Sequence, residues 1–153
     1  LNTGLSRTET RLRELFEDAG LSREQLVITP GQDQNRLFDC YNHIDIALDP
    51  GPVNGGITTM EAMWMGVPVL GLRGDRFASR IGESLVSAAG HPEWVVDTAE
   101  ELATLAKQLG QDIDARIQLK KNLRTELLQS PLFDSQGLAS AILTAVNAKL
   151  EQQ

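Results

Sequence analysis

The stretch from Asp45 to Gly74 constrains this chain more than any other part of it. It reads as a buried strand over Ile44 to Leu48, a proline-glycine turn, a short helix and a second buried strand over Val67 to Leu72. Asp49-Pro50-Gly51-Pro52 stops the first strand, because proline removes a backbone donor and restricts the residue before it. Helix resumes near Thr58 and ends at Gly66. Val67-Pro68-Val69-Leu70-Gly71-Leu72 is apolar without alternation, as a parallel strand covered on both faces requires. A helix that opens just past the carboxyl end of such a strand aims free N–H groups and a positive dipole end at one place. Phosphate binds well there.

The remaining chain extends this pattern. Leu12, Leu15, Phe16 and Ala19 recur at helical spacing over 6–19, with a Ser6/Glu9 capping box at the start and Gly20 as the stop. Leu26-Val27-Ile28-Thr29 predicts a strand ended by Pro30-Gly31, and Asp33 predicts a helix cap for a segment reaching Asn42. Asp75 predicts the cap of a helix running to Ala89, Trp94-Val95-Val96 a last strand, and Thr98 the cap of the next helix. Two further helices are expected, about 112–129 and 135–150, split at Ser130-Pro131. Strands alternate with helices through the first hundred residues or so, then helices finish the chain. The fold class is therefore α/β, a doubly wound Rossmann-like parallel sheet with a carboxyl-terminal helical tail. One domain over 1–153 is expected, with 1–110 as its α/β part and 111–153 as its helices.

Composition narrows the function. With 153 residues, 41% hydrophobic and 23% charged, the chain suits a single globular domain. A net charge of −7 argues against a nucleic-acid surface. Cys40 is the sole cysteine and His43 and His91 are the two histidines, so neither an internal disulfide nor a metal cluster is expected. No apolar run approaches a membrane span. Leu1 in place of Met reads as the start of a fragment, and a cytoplasmic setting is the default expectation.

At the turn, Asn54-Gly55-Gly56 lets a ligand approach the backbone, and Thr58 and Thr59 bring hydroxyls to the helix start. Glu61, one turn on, is placed to accept bonds from a diol such as ribose. The same residues also suit a plain tight turn with Thr58 as N-cap. The spacing matches neither the dinucleotide fingerprint nor the P-loop. Asp49 is read as shaping the Pro-Gly-Pro turn, not as half of an acid–base pair with Asp45. Arg80 reads as a surface or ion-pair residue, Trp64 and Met65 as core, and both histidines as solvated turn residues.

Asp45-Ile-Ala-Leu-Asp-Pro, Asn54-Gly-Gly, Thr58-Thr59, Glu61-Ala62, Trp64-Met-Gly-Val-Pro68, Gly74-Asp-Arg-Phe-Ala-Ser-Arg80 and Ser130-Pro-Leu-Phe-Asp134 occur in this order. Together they resemble the carboxyl-terminal half of the O-GlcNAc transferase (SPINDLY-like) glycosyltransferases over about residues 26–150. The resemblance implies the GT-B fold, with a nucleotide sugar such as UDP-GlcNAc held mainly by this half and transferred, with inversion and without a metal, to Ser or Thr of a protein. It implies no cofactor. It assigns the phosphate-binding hydroxyl positions to Ile57 and Thr58, the glycine turn to Gly55 and Gly56, and the ribose carboxylate to Glu61. Leu37 stands where the family often has a His against the base, and Cys40 where some members have a basic residue.

The resemblance also places a cationic Lys, two strands and the acceptor-side half upstream of Leu1. The fragment alone is then expected to be inactive. In the strand order 3-2-1-4-5-6 a gap opens between Val27-Ile28 and Ile46-Leu48. Either the sheet re-pairs across it or another chain, such as the missing half or a homo-oligomer partner, covers the edges. Because Ile57 and Leu37 depart from the family pattern, two alternatives stand. One is a non-catalytic binding module of the same fold. The other is a relative that uses another donor nucleotide or acts as an epimerase.

Overall fold

A computed structural model describes residues 3–29, 31 and 33–151. The chain divides into two compact units, one up to Arg36 and one from Leu37 onward.

In the first unit, helix α1 spans Thr3–Asp18. It begins three residues before Ser6, so Ser6 is inside the helix and not its cap. Gly20, at φ +89°, ends it, with the Gly20 and Leu21 amides donating back to Glu17 and Phe16 at 2.9 Å. A short 3-10 turn follows at Arg23–Gln25. The strand expected over Leu26–Thr29 does not form, and Val27 is 81% exposed. β-branched composition alone does not make a strand; its amides and carbonyls need a neighbouring ladder. The Leu26 carbonyl instead accepts from the Arg13 guanidinium at 3.4 Å. Pro30, expected to end that strand, lies outside the described residues.

In the second unit three parallel strands lie side by side in chain order: β1 (Ala47–Asp49), β2 (Val69–Leu72) and β3 (Val95–Val96). Ala47 is opposite Val69, Asp49 opposite Gly71, and Gly71 opposite Val95. Among the described residues nothing re-pairs across the expected gap. Helix α2 (Gln34–Tyr41) ends in this unit, its start capped by the Asp33 carboxylate, which accepts from the Arg36 amide at 3.0 Å.

Helix α3 (Ile57–Trp64) crosses from β1 to β2 and stops at Gly66, φ +75°. A side chain there would stand 2.8 Å from the Lys120 carbonyl, so glycine also lets α6 (Ile113–Gln129) come close. The core forms here. Met63, Val67, Leu70, Leu123 and Leu127 are fully buried, each worth about 1.5–3 kcal/mol of apolar burial. Trp64 and Met65 pack against this core. The Trp64 ring stacks on Phe133 at 5.6 Å while Arg124 lies over it at 5.0 Å.

The helix expected over 75–89 breaks into a 3-10 turn, Phe77–Ser79, and α4, Ile81–Ala88. Asp75 is exposed and caps neither piece. Instead the loop closes on Gly74, whose amide donates to the Ser79 carbonyl at 3.1 Å and whose carbonyl accepts from Arg80 at 2.9 Å. His91 also departs from expectation. Its ring is half-buried, stacked on Trp94 at 3.8 Å, with Glu93 and Glu126 oxygens at 3.1 and 3.2 Å from its two nitrogens.

Helix α5 (Ala99–Gln111) begins with a full capping box, in which Thr98 accepts from the Glu101 amide and Glu101 from the Thr98 amide. Asp112 caps α6, and Asp134 caps α7 (Ser135–Leu150), the helical tail. No helix among the described residues is long and apolar enough to cross a membrane.

Candidate functional site

The site is built where β1 stops. Asp49 is the last strand residue, and Gly51, at φ +78° before a cis bond to Pro52, turns the chain back toward α3. Two contacts fix the returning loop. The Asn54 amide donates to the Ala78 carbonyl at 2.9 Å, and the Gly55 amide donates to Asp49 Oδ2 at 3.0 Å. Gly55 thus has its N–H already engaged.

The next four amides differ. Gly56 is the N-cap of α3 and offers no side chain, so the helix opens uncapped. Thr58 lies inside the helix and is not its N-cap. The backbone N–H groups of Gly56, Ile57, Thr58 and Thr59 donate to no group among the described residues. Four donors at a helix start, with the dipole behind them, make an anion-binding arrangement.

Hydroxyls complete it. An added Cβ on Gly55 would stand 2.7 Å from Thr58 Oγ1 and 2.6 Å from Thr59 Oγ1, so both oxygens gather over the bare Gly55 Cα. Thr58 is exposed and Thr59 is buried. Both line a cleft of about 230 Å³ with Gly55 and Asp49. Ala47, Leu48 and Val69 from the sheet and Ala62 from α3 give it apolar lining, and Tyr41 contributes from α2. The Tyr41 hydroxyl donates to the Thr58 carbonyl at 3.2 Å. Burial, and less strongly the negative charge of Glu61, push the Tyr41 phenol above its ordinary range.

The other predicted residues fall around this cleft. Asn54 is 6% exposed, and its Oδ1 is buried without a partner among the described residues. Ile57 is 78% exposed at the first position of α3. Glu61 is half-buried one turn on, and neither it nor Ile57 lines the cleft. Leu37 packs on the hydrophobic core and is absent from the cleft wall. The structure therefore brings Gly55, Thr58 and Thr59 together and leaves Leu37 apart. Nothing in the neighbourhood of Tyr41 in sequence marks it as a cleft residue. Among the described residues no cluster of three or more His, Cys, Asp or Glu could hold a metal ion.

Comparison with known proteins places these features in a family. The sequence model described as Glycosyl transferase family 41 matches residues 5–142. A barley (Hordeum vulgare) protein described as a probable UDP-N-acetylglucosamine–peptide N-acetylglucosaminyltransferase SPINDLY is 34% identical over 131 residues, which is 85% of this chain and 14% of that protein. The Arabidopsis thaliana SPINDLY protein is 31% identical, over 88% of this chain and 15% of its own length. The solved structure of a mutant O-GlcNAc transferase from Thermobaculum terrenum superposes with a TM-score of 0.80 at 36% identity. It covers 93% of this chain, which in turn covers 27% of it. The chain thus spans about one seventh of the length of these curated relatives.

Proposed function

The chain belongs to glycosyltransferase family 41, and we propose that it forms the donor-binding part of an O-GlcNAc transferase-like enzyme. In this reading the cleft beside α3 takes a nucleotide sugar, UDP-GlcNAc or a close relative, whose sugar passes to a Ser or Thr hydroxyl of a protein. The observation that carries it is the run of four unengaged amides, Gly56 to Thr59, under two converging hydroxyls. A diphosphate seated there accepts from the amides and from Thr58 as charge builds on it in the transition state. Glu61 orients the ribose. Transfer proceeds with inversion and without a metal, the helix dipole and amides carrying the leaving-group charge.

The lining of the cleft contains no Lys, Arg or His. That supports a division of labour in which this chain holds the donor, while a cation assisting the leaving group and the acceptor-side surface come from elsewhere in the enzyme. By itself the chain then binds donor without turnover. The relatives are named as peptide N-acetylglucosaminyltransferases, which supports the protein acceptor. A cytoplasmic setting fits this reading.

A second reading, a non-catalytic module of the same fold, draws on Ile57 and Leu37. One is an exposed apolar side chain at the helix start, and the other is committed to the core. Calorimetric titration with uridine diphosphate and guanosine diphosphate separates the readings. Saturable uridine diphosphate binding that weakens about tenfold in Thr58→Ala, the loss of one hydrogen bond to a charged group, supports the donor site. A folded chain that binds neither nucleotide supports the module. Preference for guanosine diphosphate moves the assignment to another donor.

A further inference from the structure

A carboxylate lines the same cleft in which a diphosphate is to sit. Asp49 is held from several directions. Its strand pairs it with Gly71, and its Oδ2 accepts the Gly55 amide at 3.0 Å. A Cβ on Gly82 would stand 2.8 Å from that same oxygen and 3.2 Å from Asn54 Cβ, so the first turn of α4 closes on the carboxylate with no side chain between. This is a fixed group. It keeps one amide of the glycine turn from any ligand and puts a negative charge beside the four amides that remain free.

We infer that Asp49 is a positioning and selectivity residue of the proposed donor site, an inference that rests on the donor-site reading above. Its carboxylate sets the Gly55 turn, and its charge disfavours the more negative of two related ligands. A sugar-capped diphosphate carries two negative charges. A free nucleoside diphosphate carries nearly three at neutral pH, because a terminal phosphate loses its second proton at about pH 6. In transfer, the bond between the anomeric carbon and the phosphate oxygen breaks and the acceptor oxygen takes the carbon. The hydroxyl proton leaves, and the departing diphosphate keeps the electron pair. The product is therefore one charge richer than the donor, and Asp49 biases the cleft toward exchanging it for fresh donor.

Two substitutions separate shape from charge. Asp49→Asn keeps an oxygen to accept the Gly55 amide and removes the charge, whereas Asp49→Ala removes both. Uridine diphosphate and UDP-GlcNAc are titrated against each variant at low salt, and hydrogen exchange is followed at the Gly55 amide. In Asp49→Asn the ratio of affinities is expected to shift toward uridine diphosphate by about fivefold, an effect that shrinks as salt is added. In Asp49→Ala both ligands are expected to weaken about tenfold and Gly55 exchange to accelerate, with exchange staying slow in the wild type and in Asp49→Asn. An unchanged ratio in Asp49→Asn, with the wild type binding both ligands, overturns the selectivity. Wild-type affinity and slow Gly55 exchange in Asp49→Ala overturn the positioning. A folded wild type that binds neither ligand overturns the donor-site reading itself, and this inference with it.

Discussion

The Tyr41 hydroxyl donates to the Thr58 carbonyl at 3.2 Å, joining the last residue of α2 to the first turn of α3 beside the cleft. Tyr41 is 7% exposed, so its ring is core and its hydroxyl is the one polar end that needs a partner. Tyr41→Phe keeps the ring and removes the bond. Its expected cost is about 1 kcal/mol, or about 2–4 °C in Tm, read by thermal unfolding at pH 7.

The same residue gives a pH dependence with a defined sign. Burial, then the charge of Glu61, raise the phenol in the folded state. Its contribution to stability is therefore complete below the unfolded value of about 10 and is lost as pH rises through the higher folded value. Tyr41 is the sole tyrosine of the chain. Tyrosinate absorbance thus follows this group alone. The midpoint is expected above that of the chain unfolded in urea, and Tm should fall less steeply above pH 10 (about) in Tyr41→Phe than in the wild type.

Gly55→Ala tests the gathering of hydroxyls. The new methyl would meet Thr58 Oγ1 at 2.7 Å and Thr59 Oγ1 at 2.6 Å. Thr59 is buried and has little room to move, whereas exposed Thr58 can swing outward. The expected result is a stability loss of about 1–3 kcal/mol in denaturant unfolding. Uridine diphosphate affinity should fall by more than the roughly tenfold loss expected for Thr58→Ala, since the Thr58 hydroxyl swings away and the new methyl takes the space over Gly55.

Gly66→Ala is a test of the scaffold away from the cleft. Its φ of +75° is strained for any side chain, and the methyl would stand 2.8 Å from the Lys120 carbonyl. The two effects together are expected to cost at least ~2 kcal/mol, with α3 and α6 forced apart. Denaturant unfolding measures it. A near-neutral result would show that the backbone there relaxes.

How much of this was legible in the sequence depends on whether a feature is local. The α3–β2 segment and the caps at Thr98 and Asp33 follow from residues a few positions apart, and they form where expected. Leu26–Thr29 shows the limit: its composition suits a strand, but a strand exists only with a neighbour, and none of the described residues pairs with it. Asp75 lost its role as a cap because Gly74 and Ser79 close a tighter loop that no periodicity reveals. Within the site, the glycine turn and its threonines could be read directly. That Asp49 takes the Gly55 amide, and that Tyr41 reaches Thr58, are consequences of packing between elements far apart in the chain. Leu37 illustrates the reverse: it sits on the inward face of α2 with Tyr41 and packs against the core, away from the cleft.

The most direct test follows backbone amide resonances while uridine diphosphate is added to the isotope-labelled chain. Saturable shifts are expected to be largest at Gly56, Ile57, Thr58 and Thr59, whose N–H groups are unengaged among the described residues, and small at Gly55, which stays bonded to Asp49. Saturable binding with those four amides unmoved, and the shifts concentrated elsewhere on the chain, would contradict the donor-site reading.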